Sequence, residues 1–257
     1  MAQWDSYDLS TVLATLDELL YRDVSEALPE DQIKRVTLQW LLSRADWTEV
    51  ADAWAYASAS TITVPTNATL TYQKWDRIRF KQGGSYKYFV ITSLTATVLT
   101  MLVNTDFTVA NSAITDIAYS RMAKPFGFPD SFAFAPATAN LTQTSATITA
   151  RVSVSTNGFV NGFVNIVFGA STAISGAVTL TLPITIATYG ALTSIGITRY
   201  KDATGGSANS GVIFSGGQCV VLNAGAAYAA GDTISATIPF TWATSDDLDI
   251  QFSYFAA

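Results

Sequence analysis

The sequence predicts a mainly β protein with an N-terminal α-helical segment, in which a small antiparallel β-barrel precedes a C-terminal jelly-roll-like β-sandwich. Three observations carry that prediction. Apolar residues recur at helical spacing only before about residue 47, and the period falls to two from Ser58 onward. The alternating runs are short and are broken by Gly, Asn and Ser clusters, as expected of antiparallel strands joined by turns. Between two such β regions lies an aromatic segment, Lys124-Pro-Phe-Gly-Phe-Pro-Asp-Ser-Phe-Ala-Phe134.

Residues 1–46 are expected to form a helical attachment and oligomerisation region. Leu9, Leu13, Leu16 and Leu20 recur at spacings of four and three, which makes one apolar stripe, and Asp8 or Ser10 stands where a helix cap belongs. Pro29 suits the first position of a second helix, with Ile33, Val36, Trp40 and Trp47 as the matching stripe. Two such helices cannot bury both stripes alone, so they must pack on the chain or on copies of it.

Residues 47–121 are expected as the small barrel. Arg77-Ile-Arg-Phe-Lys81 and Tyr86-Lys-Tyr-Phe-Val-Ile91 flank Gln82-Gly-Gly-Ser85, which predicts a hairpin with a Gly-Gly turn. Shorter strands are predicted near Val98–Val103 and Ala113–Tyr119. Residues 122–139 form the connector. Its prolines fix the backbone, so the segment is extended and rigid. A solvated linker would not carry Phe126, Phe128, Phe132 and Phe134, since burying each ring is worth about 1.5–3 kcal/mol. Residues 140–257 are expected as the sandwich: Ile148 to Val154, Val178 to Leu182, Ile234 to Trp242 and Leu248 to Tyr254 all alternate apolar with polar.

Composition narrows the function. The chain has no histidine, which removes the commonest general base, the Ser-His and Cys-His nucleophile pairs and most zinc sites. A non-enzymatic protein without cofactor or metal is expected. One cysteine, Cys219, permits no intrachain disulfide and is expected as a small buried hydrophobe. Neither a signal-peptide pattern nor an apolar run of membrane-spanning length is present, which predicts a chain made in the cytoplasm with no membrane insertion.

The net charge of −6 hides an asymmetry: residues 1–52 carry eleven acids and four bases, and residues 53–129 three acids and seven bases. Arg77, Arg79 and Lys81 share one face of a strand, near Lys74, Lys87, Tyr86 and Tyr88. Basic and aromatic residues together can grip single-stranded nucleic acid. The stronger reading is a polar assembly face complementary to acidic protein surface, with no nucleic-acid partner, because one strand makes too small a footprint. Asp246, Asp247 and Asp249 are dense enough to suggest calcium, but lack a glycine-bearing loop of calcium-binding spacing. Trp242 shares parity with Ile238 and Phe240 and is expected in the core, whereas Tyr189, Tyr200 and Tyr228 are candidates for exposed contacts.

The runs WAYASASTITVP, YQKWDRIRFKQGGSYKYFVIT and NTDFTVANSAITDIAYSRMAKPFGFPDSFAF, across residues 47–134, resemble a module of structural proteins of tailed bacteriophages, where it precedes a Ser/Thr-rich β-sandwich. The resemblance implies a virion component, a head decoration, head fibre or tail fibre subunit bound to capsid or tail proteins. It also implies a homo-oligomer, with a homotrimer as the expected state, in which Phe126, Phe128, Phe132 and Phe134 are buried between subunits; the alternative is that they close the chain's own core. The rival function is a carbohydrate-binding module that recognises a host surface glycan. A third reading, an enzyme acting on host polysaccharide, would require paired carboxylates that no spacing here identifies.

Overall fold

The computed structural model describes residues 18–22, 33–37, 46–65, 67–187, 194–205, 208–214, 219–221 and 232–257. The chain is mainly β and its strands pair antiparallel. Strands β1 (Glu18–Arg22) and β2 (Ile33–Thr37) form a two-stranded ladder in which Leu19 stands opposite Val36 and Leu20 opposite Arg35. Leu20, Ile33 and Val36 were expected on helical stripes, and this ladder corrects that. Ile33, Val36 and Thr37 are β-branched, and their restricted χ1 favours the pleated strand over the helix. Leu9, Leu13, Leu16 and Trp40 lie outside the described residues.

The first large sheet contains β3 (Thr48–Glu49), β4 (Ala55–Ser58), β5 (Thr61–Thr63), β6 (Arg77–Gln82), β7 (Ser85–Leu94), β8 (Val98–Met101) and β9 (Thr115–Ser120), in the order β3-β9-β6-β7-β8-β5-β4. A single helical turn, α1 (Ala68–Thr71), is capped by the Asn67 side chain, which accepts from Thr69 N–H at 3.2 Å. Gly83 and Gly84 both have positive φ, +60° and +84°, which completes the predicted β6–β7 hairpin as a tight two-residue turn.

This sheet is curled. β4 is four strands from β6, about 19 Å away in a flat sheet at ~4.8 Å per strand. Yet Trp54, just before β4, meets Phe80 of β6 edge-on with ring centroids 6.5 Å apart. The enclosed core contains Trp54, Ile62, Tyr72, Ile78, Phe80, Phe89, Ile91 and Leu99. Among the described residues β3 pairs only with β9 and β4 only with β5, so the expected barrel is a rolled sheet rather than a closed ladder.

The C-terminal region has two layers around one core. Its large sheet runs β10 (Phe132–Ala133), β12 (Thr147–Val154), β13 (Phe159–Val167), β18 (Asp247–Phe255), β15 (Ser194–Lys201), β16 (Ala208–Phe214) and β17 (Cys219–Val221). A ribbon of β11 (Thr138–Thr142) and β14 (Ala173–Leu180) supplies Leu141, Ile174, Val178 and Leu180 to the core, against Val160, Val164, Ile250 and Phe252. Seven strands against two, among the described residues, is not the even division of a jelly roll. The last strand, β18, sits at the centre of the sheet between β13 and β15. No helix of the described residues is long and apolar enough to cross a membrane.

Tyr72 and Tyr254 give the fold a pH signature. Burial, with the Asp52 carboxylate adding to it, pushes the Tyr72 hydroxyl up to about 12, and burial raises Tyr254 strongly although its oxygen accepts from Ile184 N–H at 3.4 Å. Both phenols are harder to ionise folded than unfolded, so their contribution is whole below pH 10 and is lost as pH rises through the folded values. Stability is therefore expected to fall between pH 10 and about 12, and Tyr72→Phe is expected to flatten that fall. Denaturant midpoints across this window check it; an equal slope in the variant would refute the assignment.

Candidate functional site

Two surfaces merit description: the junction between the curled sheet and the C-terminal sheet, and the outer face of the latter. At the junction, β6 alternates. Ile78 and Phe80 point into the curled core, while Arg77 and Arg79 point the other way and are only 2% and 6% exposed. The arginines were expected on a solvent-facing assembly surface. They are buried because the connector and Trp47 cover that side of the strand. Arg77 donates from Nε to Ala123 O (3.2 Å), from Nη1 to Trp75 O (2.7 Å) and from Nη2 to Val154 O (2.6 Å), with its guanidinium 5.4 Å from the Phe128 ring. Curled sheet, connector and C-terminal sheet thus each give one carbonyl to one side chain. Burial draws the Arg77 pKa down to about 10, partly opposed by Asp76, so the group is still cationic at neutral pH.

Arg79 lies 4.8 Å from the rings of both Trp47 and Tyr86, an arrangement in which ring quadrupoles replace part of the lost hydration. Lys81 is the more exposed member of the trio and pairs with Asp116 at 3.0 Å, which raises its pKa. Lys87 reaches Thr108 O at 2.6 Å, and Lys74 reaches Ala257 O at 3.0 Å. Trp75, at a φ of 74°, packs its indole over Gly158, where an added Cβ would lie 2.8 Å from the ring.

The connector is pinned along its length. Asp46 accepts from Phe126 N–H (3.0 Å), Trp47 Nε1 donates to Phe126 O (2.9 Å), and Arg151 holds Ser131 through its hydroxyl and carbonyl, both at 2.8 Å. Phe128 and Phe132 form a tilted and edge-on ring chain with Trp47, Tyr88 and Phe107, at centroid distances of 5.7–6.3 Å. Phe134 turns to Phe252 at 6.4 Å. Phe128, Phe132 and Phe134 are therefore buried within one chain rather than free for a neighbouring subunit; Phe126 alone of the four stays exposed, at 41%.

The acidic cluster is occupied by protein. Asp246 is buried and accepts from Ala203 and Ala243 N–H at 2.9 and 2.6 Å, and Asp249 receives Arg199 Nη2 at 2.9 Å. No group of His, Cys, Asp or Glu suited to a metal ion occurs among the described residues. Trp242 stacks on Phe168 at 4.7 Å and packs on the core. Tyr200, expected exposed, is fully buried on the inner face and bonds Thr198. Cys219 lies in β17, while Tyr189 and Tyr228 lie outside the described residues.

The outer face of the C-terminal sheet was missed. Val160, Val164 and Ile166 of β13 are buried, so Phe159 and Phe163 lie on the opposite parity. With Ile197 and Phe255 they leave apolar surface in solvent, and Phe163, Ile197 and Phe255 are 38%, 57% and 44% exposed. The signal was legible: an aromatic residue standing in the polar phase of an alternating run. Family models, curated proteins and solved structures return no match to this chain.

Proposed function

We propose that the chain is a non-enzymatic structural subunit of a tailed-bacteriophage particle, a decoration or fibre protein that joins the capsid or tail as a homotrimer, with residues 1–46 making the attachment. The reading rests on the resemblance of residues 47–134, and one observation carries it further. The residues of the resembling runs are those that build a rigid junction: Trp54 and Phe80 roll the sheet, Arg77 and Trp75 meet the C-terminal sheet, and Phe128 and Phe132 fill the seam. Buried arginine and aromatic rings used this way hold two β units in fixed orientation, which is what a passive spacer on a particle requires.

Light scattering on the purified chain is expected to give about three times the 27.4 kDa chain mass. Immunogold labelling of purified particles with an antibody against residues 140–257 is expected to mark the head or tail. A monomer that is absent from particles would overturn the proposal.

A further inference from the structure

Across three neighbouring strands of the C-terminal sheet, Phe163, Gln251 and Ile197 stand side by side in register on the outer face. The next row pairs Asn161 with Ser253, whose side chains hydrogen-bond at 2.9 Å. These five residues line a shallow groove of about 360 Å³, near the lower end of the usual range for small-ligand sites. Gln251 is exposed and lines the groove, and among the described residues its carboxamide, which can both donate and accept, has no hydrogen-bond partner. Asn161 gives its N–H to Ser253 and keeps its carbonyl oxygen as an acceptor, while Ser253 keeps its hydroxyl proton as a donor.

We propose that this groove binds a neutral glycan, with one pyranose ring lying across Phe163, Gln251 and Ile197. A pyranose presents an apolar C–H face and a rim of hydroxyls that donate and accept. The electron-rich face of an aromatic ring suits the first, and uncharged carboxamides and a hydroxyl suit the second. Charge complementarity selects a neutral sugar. The five residues named are uncharged; Arg151, opposite Phe163 in the same row, is engaged by Ser131 at 2.8 Å and paired with Asp106 at 3.6 Å, and Arg199 and Asp249 neutralise each other at 2.9 Å in the adjoining row. A second copy of the chain fits this face less well. Interface cores are contiguous and apolar, whereas here Gln251 and the Asn161–Ser253 pair interrupt the apolar surface. The assignment is independent of the virion role, since a spacer needs no such groove.

The test uses the full chain with methyl glycosides of glucose, galactose, mannose and N-acetylglucosamine, followed by saturation-transfer NMR and titration. At least one is expected to bind saturably. Gln251→Ala and Phe163→Ala are each expected to weaken that binding about tenfold, the loss of one well-placed contact, whereas Leu70→Ser, at an exposed apolar site elsewhere, leaves it unchanged. Circular dichroism confirms that each variant is folded. No saturable binding to any of these sugars, or binding undiminished by both groove substitutions, overturns the proposal. So does a Phe163→Asp variant that dissociates the oligomer while the native chain binds no sugar, which would assign the face to a second copy. Particle labelling reports separately on the structural role.

Discussion

Arg77→Ala is expected to lower folding stability by about 3–5 kcal/mol and to split unfolding into two steps. The substitution strips three carbonyls of their donor, that of Val154 in a buried bond and those of Trp75 and Ala123 in partly buried ones. Each buried polar group left unsatisfied costs about 1–3 kcal/mol, and the sum is offset in part because the guanidinium no longer leaves water on folding. The two-step behaviour follows from where those carbonyls lie. With the side chain gone, the curled sheet and the C-terminal sheet lose their most buried side-chain tie and the cooperativity it supports, keeping more exposed contacts such as Lys74–Ala257 and Arg151–Asp106 at 3.0 and 3.6 Å. Arg77→Met restores volume without donors and is expected to recover only the packing part of the loss. Arg77→Lys, a point charge in place of a planar fork, cannot reach three carbonyls at once. Denaturant titrations read by tryptophan fluorescence and circular dichroism check both claims; coincident single transitions with a loss below about 1 kcal/mol would show that Arg77 is a bystander.

The β content, the Gly83-Gly84 hairpin and the parity of Leu248 to Tyr254 were legible because each rests on neighbours in sequence. A period of two and two residues at positive φ need no tertiary information. The fate of Arg77 and Arg79 was not legible for the opposite reason. A strand with cations on one parity reads as half solvated, and segments distant in sequence, the connector over Arg77 and Trp47 over Arg79, turn that face inward. The same distance effect hid Tyr200, whose surroundings are completed by Trp242, centroid to centroid 6.4 Å away. The Phe-Pro segment was correctly expected to pack against something, and three of its four rings are covered, but sequence does not distinguish a neighbour in the chain from a neighbour in an oligomer. At positions 33–37 the apolar spacing fitted a helix while β-branched residues at positions 33, 36 and 37 fitted a strand, and the strand is observed. On the outer face, Phe163 was overlooked because attention to the buried parity makes its opposite look uninformative.

A rigid junction also bears on what the C-terminal sheet can do. Val154, at the end of β12, is bonded to Arg77, and Val152, one inward-facing position away, pairs with Phe132 of the connector. The outer-face groove on β13, β18 and β15 is therefore held in fixed orientation to the curled sheet, through β12 and its nine-residue partner β13. A binding surface carried on such a body keeps its direction relative to whatever the curled sheet is attached to, at no entropic cost of ordering a hinge at each encounter.

Phe128→Ala decides whether the connector seals one chain or joins several. Phe128 is buried against Trp47, Tyr88 and Phe132, at centroid distances of 6.2, 6.0 and 5.7 Å, and lies beneath the Arg77 guanidinium at 5.4 Å. Truncating a buried phenylalanine removes its transfer free energy and leaves a cavity, together about 3–5 kcal/mol. Because its described partners belong to the same chain, that loss is expected in folding stability, with a shift in the thermal midpoint that does not depend on protein concentration. Were Phe128 an intersubunit residue, the shift would shrink as concentration rises, since association is coupled to folding by mass action. The Phe126→Ala comparison sharpens the contrast: that ring is the exposed one, and its loss is expected to leave folding within about 0.5 kcal/mol of the native chain. Midpoints for both variants over a wide range of concentration separate the two readings, and a concentration-dependent loss at Phe128 would return the connector to the subunit interface.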